Sequence, residues 1–184
     1  MSILAYRQVE EDDMRFVRHS WVESYRTSHY AGPIPMSMYF KVYHDVVKNL
    51  MERDGVETMI AYHKEHPSQI FGFCCYEKGY TLPLVHYIYV KSAFRQLPGV
   101  DDSFDEGIAT MLLEECGIDP TNPHYYTFKT GVWAFLASRG NPFSGGIFKP
   151  LLARFDKDEA AKHEAAHFHQ KEAPKEREET PCYS

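Results

Sequence analysis

The spacing of hydrophobic positions changes along the chain and predicts its first elements. A short apolar segment at 3–9 reads as an opening strand. The next apolar residues recur at helical spacing among charged ones: Met14, Val17, Trp21 and Tyr25. After the breaker Gly32-Pro33-Ile34-Pro35, a second apolar stripe predicts another helix: Tyr39, Val42, Val46 and Leu50. The chain is therefore expected to begin as strand, helix, helix.

The middle of the sequence has the composition of β-strands. Segments 57–64, 69–78 and 82–91 are rich in Ile, Val, Phe, Tyr and Cys, with turn residues at 66–68 and at Gly79 between them. We expect three consecutive antiparallel strands. A third helix follows from Gly107 to Gly117, with one apolar face formed by Ile108, Met111, Leu112 and Cys116. A further strand is predicted between 124 and 137. The segment 143–155 is interpreted as a short buried helix, although its pattern also fits strands.

Length and composition favour one domain. The chain has 184 residues, of which 43% are hydrophobic, enough for one substantial core. Beyond Phe155 the sequence has scarcely an apolar face, so we predict a single domain over 1–155 and a charged, solvated helix or disordered tail over 156–184. The sequence does not decide the oligomeric state, and a homodimer is one candidate assembly.

The charge and the cysteine content limit which partners and which cellular compartment we expect for this chain. The net charge of −6 divides evenly between body and tail, so neither has the positive excess that favours nucleic acid as a partner. No apolar run approaches the ~20 residues of a membrane span, and the N-terminus turns polar too soon for a secretory signal, so we expect a cytoplasmic protein. The four cysteines, Cys74, Cys75, Cys116 and Cys182, are interpreted as reduced, mostly buried residues.

The segment from 85 to 113 carries the strongest functional signal. An apolar strand over 85–90 is followed by a turn ending in Arg95, by glycines at 99 and 107, and by the third helix. Unpaired N–H groups in the first turn of a helix, together with the helix dipole, can hold a pyrophosphate. The alternative interpretation is that this segment is an ordinary connection between a strand and a helix and binds no ligand.

These residues resemble the GNAT superfamily of N-acetyltransferases. The core motif of that family is a strand ending in Val, then Arg or Gln, then x-x-Gly-x-Gly or Ala. Val90 and Arg95 have the usual separation, and Ile70-Phe71-Gly72-Phe73 looks like the third strand of the family. The resemblance spans residues 3 to about 137. It implies an α+β fold: a central mixed, mostly antiparallel sheet flanked by helices in three layers.

The resemblance also implies a cofactor and an activity. The co-substrate would be acetyl-CoA or another acyl-CoA, without a metal, and the reaction would be direct attack of an amine acceptor on the thioester. The backbone of Ile88, Tyr89 and Val90 would pair with the pantetheine arm. The pyrophosphate would be bound by Arg95 and by the amides of the helix start: Gly107, Ile108, Ala109 and Thr110. Asn141 and Ser144 would contact the pantetheine or thiol end.

Two departures from the family pattern favour an alternative function. An acidic insertion, 97–106, precedes Gly107 and would repel a polyanion unless the loop swings outward. Phe148 stands where the family often has a Tyr as general acid, and a phenyl ring cannot protonate a thiolate. The alternative is a GNAT-shaped binding or inhibitory protein without turnover.

His86 and Tyr89 are the candidate catalytic residues for proton transfer. An imidazole suits the removal of a proton from an attacking amine. Strand alternation would place the two side chains on opposite faces of the sheet. A plain hydrogen-bonded strand histidine is the competing interpretation of His86.

The tail contains a second motif, His163-Glu164-Ala165-Ala166-His167, which matches the H-E-x-x-H pattern of zinc proteases. Only 17 residues follow it, and the surrounding helix lacks an apolar face that would hold the two imidazoles rigid. We interpret it as a chance match and predict no metal.

Overall fold

Up to residue 126, the main strands and helices follow one another in the order that the sequence predicts. The computed structural model describes residues 3–28, 34–78, 81–94, 107–119, 121–129, 146–153 and 162. The regular elements in these residues are β1 (Leu4–Gln8), α1 (Glu11–Arg26), α2 (Met36–Met51), β2 (Val56–His63), β3 (His66–Glu77), β4 (Leu84–Val90), α3 (Gly107–Glu115), β5 (His124–Tyr126) and β6 (Gly146–Phe148). Short 3₁₀ helices cover Ser92–Phe94 and Pro150–Ala153.

The strands form one sheet in which spatial order equals chain order, β1-β2-β3-β4-β5-β6. The pairs from β1 to β4 are antiparallel, whereas β4–β5 and β5–β6 are parallel. The predicted mixed, mostly antiparallel sheet is therefore confirmed. Strand, two helices, three strands, helix, strand is also the order that the GNAT resemblance implies.

Helices cover both faces of the sheet, which confirms the three layers. α1 and α2 bury Trp21, Tyr39 and Leu50 on one face, and α3 buries Ile108 and Leu112 on the other. Alternation along β3 divides its cysteines between the faces: Cys74 belongs to the α3 side and Cys75 to the α1–α2 side. Both are free and buried, as is Cys116, in agreement with the prediction.

The start of α1 is fixed by two reciprocal bonds. Glu10 and Asp13 form a capping box, in which each side chain accepts a hydrogen bond from the other residue's backbone N–H. Asp13 also accepts from both terminal nitrogens of Arg7. The Arg7 guanidinium lowers the pKa of the Asp13 carboxyl, so this end of the helix is held to β1 by an ion pair.

Three details of the sequence prediction are wrong. The turn between β2 and β3 lies at 64–65, and residues 66–68 already belong to β3. Val42 is 40% exposed, since α2 instead buries Val47 toward the sheet. The buried helix expected within 143–155 is replaced by β6 and the 3₁₀ helix after it, because pairing with β5 provides backbone partners that the apolar pattern cannot reveal.

The prediction of a domain boundary near 155 and the tail motif at 163–167 fall outside the described residues. No helix in the described ranges is both long and apolar enough to cross a bilayer.

Gly72 is the closest backbone contact between β3 and β4. A Cβ atom at this position would lie 2.3 Å from the carbonyl oxygen of Tyr89 and 3.2 Å from the Cα of Val90. Both neighbours are backbone atoms that cannot rotate away. The register of the two strands therefore depends on the absence of a side chain at residue 72.

We predict that Gly72→Ala destabilises the protein by about 2 kcal/mol, because β3 and β4 must separate to admit the methyl group. Ser68→Ala, at an exposed position of the same strand, should change stability by less than about 0.5 kcal/mol. Urea unfolding of the two variants checks this. Equal midpoints for both variants would contradict the packing described here.

Candidate functional site

A β-bulge at His86 interrupts the pairing of β3 with β4. Cys75 lies opposite Tyr87, but the next residue, Tyr76, lies opposite Val85, so His86 has no opposing residue. A bulge of this kind changes which side chains share a face. Simple alternation is therefore not obeyed between Val85 and Tyr87.

The bulge corrects the prediction that His86 and Tyr89 face opposite ways. Tyr87 and Tyr89 pack with the α1–α2 cluster. His86 reaches Glu77, which also lies 3.5 Å from Arg53, just beyond α2. His86 and Tyr89 therefore lie on the same face of the sheet, toward α1 and α2.

The bulge also decides which backbone groups of β4 face away from β3. The N–H of Lys91 donates to the carbonyl of Phe71, so Lys91, and by alternation Tyr89, direct their backbone groups toward β3. The N–H and C=O of Ile88 and Val90 therefore point to the opposite edge, where β5 would lie. The sequence predicts that the backbone of Ile88, Tyr89 and Val90 pairs with pantetheine. The N–H and C=O of Tyr89, however, face β3 and not the edge where the ligand would lie.

The described part of β5 pairs with the first part of β4. The described pairs are Leu84 with Tyr125 and Val85 with Tyr126. The last described backbone bond between the strands runs from the N–H of Thr127 to the carbonyl of Val85, at 3.1 Å. Beyond this bond, none of the described strands pairs with the Ile88 edge of β4 on that side.

The start of α3 lies beside this same edge. Ile108 belongs to the apolar cluster that contains Ile88 and Val90. Gly107 opens the helix with φ of 75°, a conformation that a side chain would strain. The hydroxyl of Thr110, a residue only 2% exposed, has no hydrogen-bond partner among the described residues. A buried donor of this kind in the first turn of a helix fits a site for an anionic ligand.

His86 is the centre of a buried polar chain where β5 ends. Its Nε2 lies 3.1 Å from a carboxylate oxygen of Glu77, and its Nδ1 lies 3.2 Å from the hydroxyl of Thr127. The Thr127 hydroxyl is also 3.3 Å from the carbonyl oxygen of His86. All three residues are less than 8% exposed, so both ring nitrogens are engaged inside the protein.

Burial decides the protonation of His86. Desolvation lowers the pKa of the imidazole below its usual value, and Glu77 opposes this effect only in part. The ring is therefore held neutral in the folded protein at neutral pH. Neutral imidazole can accept a proton, whereas imidazolium cannot.

Tyr89 and Lys91 form the α1 side of the same region. The rings of Tyr89 and Phe16 are 6.4 Å apart, and the ammonium of Lys91 lies 4.8 Å from the centre of the Phe16 ring. Burial lowers the pKa of Lys91. This wall is aromatic and carries one half-buried positive charge.

Phe148 on β6 is 38% exposed. Its ring lies 5.3 Å from the Tyr126 ring and 4.6 Å from the ammonium of Lys129. The phenyl group thus contacts an aromatic ring and a cation, and it offers no proton to either.

The structure brings together some of the predicted site residues. His86, Ile88, Tyr89 and Val90 lie along β4, and the helix start contributes Gly107, Ile108, Ala109 and Thr110. Arg95, Asn141 and Ser144 fall outside the described residues, so their roles stay predictions. No cluster of three metal-ligating side chains occurs among the residues that the structure describes.

Glu77 and Thr127 were missed by the sequence analysis. Glu77 is an acidic residue at the end of the apolar run Phe71–Tyr76, a position that could have marked it as a buried carboxylate. Thr127 has no such signal, because it meets His86 only through the parallel pairing of β4 with β5.

We predict that protein stability decreases as the pH falls below about 6.5. The unfolded chain binds a proton at His86 there, while the folded chain, with its lowered pKa, does not. Between pH 7.5 and 5.5 this group alone should cost up to about 1.4 kcal/mol. Urea unfolding should show a smaller pH effect for His86→Gln, while His44→Gln, at an exposed position, behaves like wild type. An unchanged pH dependence in His86→Gln would contradict the assignment.

No protein-family model and no curated protein sequence matches the chain. Solved structures do match. A proposed acetyltransferase from Pyrococcus furiosus is 13% identical, with a TM-score of 0.47, and the match covers 98% of this chain and 99% of that one. The PaiA N-acetyltransferase from Thermoplasma acidophilum, in complex with coenzyme A, is 16% identical, with a TM-score of 0.43 and coverage of 64% and 70%.

A proposed GNAT-family acetyltransferase from Staphylococcus aureus is 17% identical, with a TM-score of 0.40, and the match covers 60% of this chain and 86% of that one. With TM-scores below 0.5, these matches do not say what the chain binds or catalyses. The GNAT-like fold instead follows from the chain's own order of strands and helices.

Proposed function

We propose that this chain is an acyl-CoA-dependent N-acyltransferase, with acetyl-CoA as the foremost donor and an amine as the acceptor. The observation that supports the proposal is the backbone of Ile88, which faces away from β3 beside the start of α3. Because the bulge at His86 turns the backbone of Ile88 away from β3, this edge of β4 can accept an extended, amide-containing arm as an added strand. Pantetheine is such an arm.

The start of α3 supports the other end of the same ligand. The amides of Gly107 to Thr110 open a helix beside the C-terminal half of β4, and the hydroxyl of Thr110 is buried without a partner. A diphosphate bound there would be stabilised by the helix dipole and by the N–H groups that a first helical turn leaves unpaired. Arg95 is proposed as an added positive charge.

The reaction proposed is direct attack of the amine nitrogen on the thioester carbon. Holding the thioester along Ile88 and Val90, with the amine approaching from the α1 side, would supply rate through proximity. Tyr89 lies on that side, and it stays a candidate for proton transfer together with His86.

A second candidate function is favoured by Phe148. The ring cannot act as an acid toward the departing thiolate. A chain that binds acyl-CoA without turning it over would serve as a binding or inhibitory protein. The two functions share the cofactor site and differ only in thiol release.

We predict that acetyl-CoA binding, measured by calorimetry, is lost or weakened at least ~10-fold in Gly107→Glu, because a carboxylate would repel the diphosphate. Gly117→Glu is the matched control: this glycine lies just past α3 with φ of 74°, so strain and charge are alike but the location differs. Equal weakening in both variants would contradict the proposed phosphate site.

Thiol release from acetyl-CoA across a panel of amines then separates the two functions. Release that depends on both enzyme and amine supports the transferase. Binding without any release supports the binding protein.

A further inference from the structure

The polar chain from Glu77 through His86 to Thr127 lies beside the last described bond between β4 and β5. Within the described residues this bond runs from the N–H of Thr127 to Val85, and the Thr127 hydroxyl turns toward His86. Ile88 lies about two residues further along β4, which at ~3.3 Å per residue is roughly 7 Å away. The acyl end of an arm that enters past Val90 and pairs with Ile88 would therefore be the part of the ligand nearest Thr127.

The hydrogen positions follow from the partners of the imidazole. A neutral ring carries one N–H. Glu77, which also faces Arg53 at 3.5 Å, serves as the acceptor for Nε2. Nε2 then carries the hydrogen, and Nδ1 has a lone pair. The one hydrogen of the Thr127 hydroxyl has two acceptors within reach, this lone pair at 3.2 Å and the carbonyl oxygen of His86 at 3.3 Å, and the relay uses the first. This is the polarity of a carboxylate–imidazole–hydroxyl relay.

We propose that the Thr127 hydroxyl is the proton-transfer group of the acyltransferase and that His86 holds the proton between the two transfers. This inference rests on the proposed function. It provides the acid that Phe148 cannot supply. It also explains how a buried His86 could act without contacting the substrate.

The proton moves from the amine to the thiolate in two steps. The amine nitrogen bonds to the thioester carbon, and a proton leaves the nitrogen for Oγ1 of Thr127 while Oγ1 passes its own proton to Nδ1 of His86. The C–S bond then breaks with its electron pair on sulfur, and the imidazolium returns its proton through Oγ1 to the thiolate. The products are an amide and the free thiol, and both side chains are restored.

The groups around His86 are compatible with this cycle. From β3, Glu77 stabilises the imidazolium while it exists. From the segment after α2, Arg53 limits how long the ring keeps the proton, because its charge opposes that of the imidazolium. From the segment after β5, Thr127 provides the only hydroxyl within hydrogen-bond distance of the ring among the described residues.

The test uses the full chain with acetyl-CoA as donor and hydroxylamine as a small acceptor, followed by thiol release. Thr127→Val, which keeps the shape and removes the hydroxyl, should lower kcat at least ~100-fold. KM and calorimetric affinity for acetyl-CoA should be unchanged. Thr127→Ser should retain most of the activity because the hydroxyl remains.

The pH profile separates relay from packing. In wild type, log kcat/KM should fall with unit slope on the acid side as His86 becomes protonated. The residual activity of Thr127→Val and of His86→Gln should not show this decrease at acid pH. If the two side chains only supported packing, the decrease would remain in both variants.

Three other outcomes of these experiments would contradict the relay or the function on which it rests. A Thr127→Val variant with wild-type kcat, or one that keeps the decrease at acid pH, overturns the relay. So does a wild-type protein that binds acetyl-CoA but releases no thiol, although the cofactor site would then stand. Absence of acetyl-CoA binding would instead refute the proposed function itself.

Discussion

The structure depends on one extra residue in β4. Because His86 has no opposing residue in β3, β4 stays paired with β3 on both sides of the bulge. On the other side of β4, the backbone groups that face away from β3 are those of Val85 before the bulge and those of Ile88 after it. β5 follows the first register, and its last described bond to β4 is that of Thr127. The backbone groups of Ile88 that face away from β3 therefore lie on the inner, β5 side of β4 and not at the outer border of the sheet.

The two faces of the sheet surround this edge with different environments. On the α3 side, apolar residues bring the start of the helix close to Val90, so an anion-binding end and a strand edge become neighbours. On the α1 side, Phe16 and Phe128 belong to the same aromatic cluster as Tyr87 and Tyr89. A ligand along the edge would meet helix amides on one side and aromatic surface on the other.

The fold was largely predictable because its signals are local. Helical spacing at Val17, Trp21 and Tyr25 and the apolar runs of β3 and β4 identify elements without knowledge of their neighbours. The errors occur where neighbours decide. Val42 fits the spacing of α2 but faces solvent, and β6 exists because β5 offers it a partner. In the candidate site, the glycine and strand pattern predicts roles for Ile88 and Gly107 that stay predictions, whereas the bulge, Glu77 and Thr127 depend on register, which alternation alone does not encode.

Gly72 has a consequence for how such a site could change. Since a hydrogen atom is all that fits between β3 and Tyr89, β4 is effectively clamped to its antiparallel neighbour. The opening that the proposed function requires would then be bounded on its far side by β5, whose described strand has three residues. Under that function, descendants of this chain that take bulkier acyl chains would be expected to differ after Tyr126, while the β3–β4 seam stays as it is.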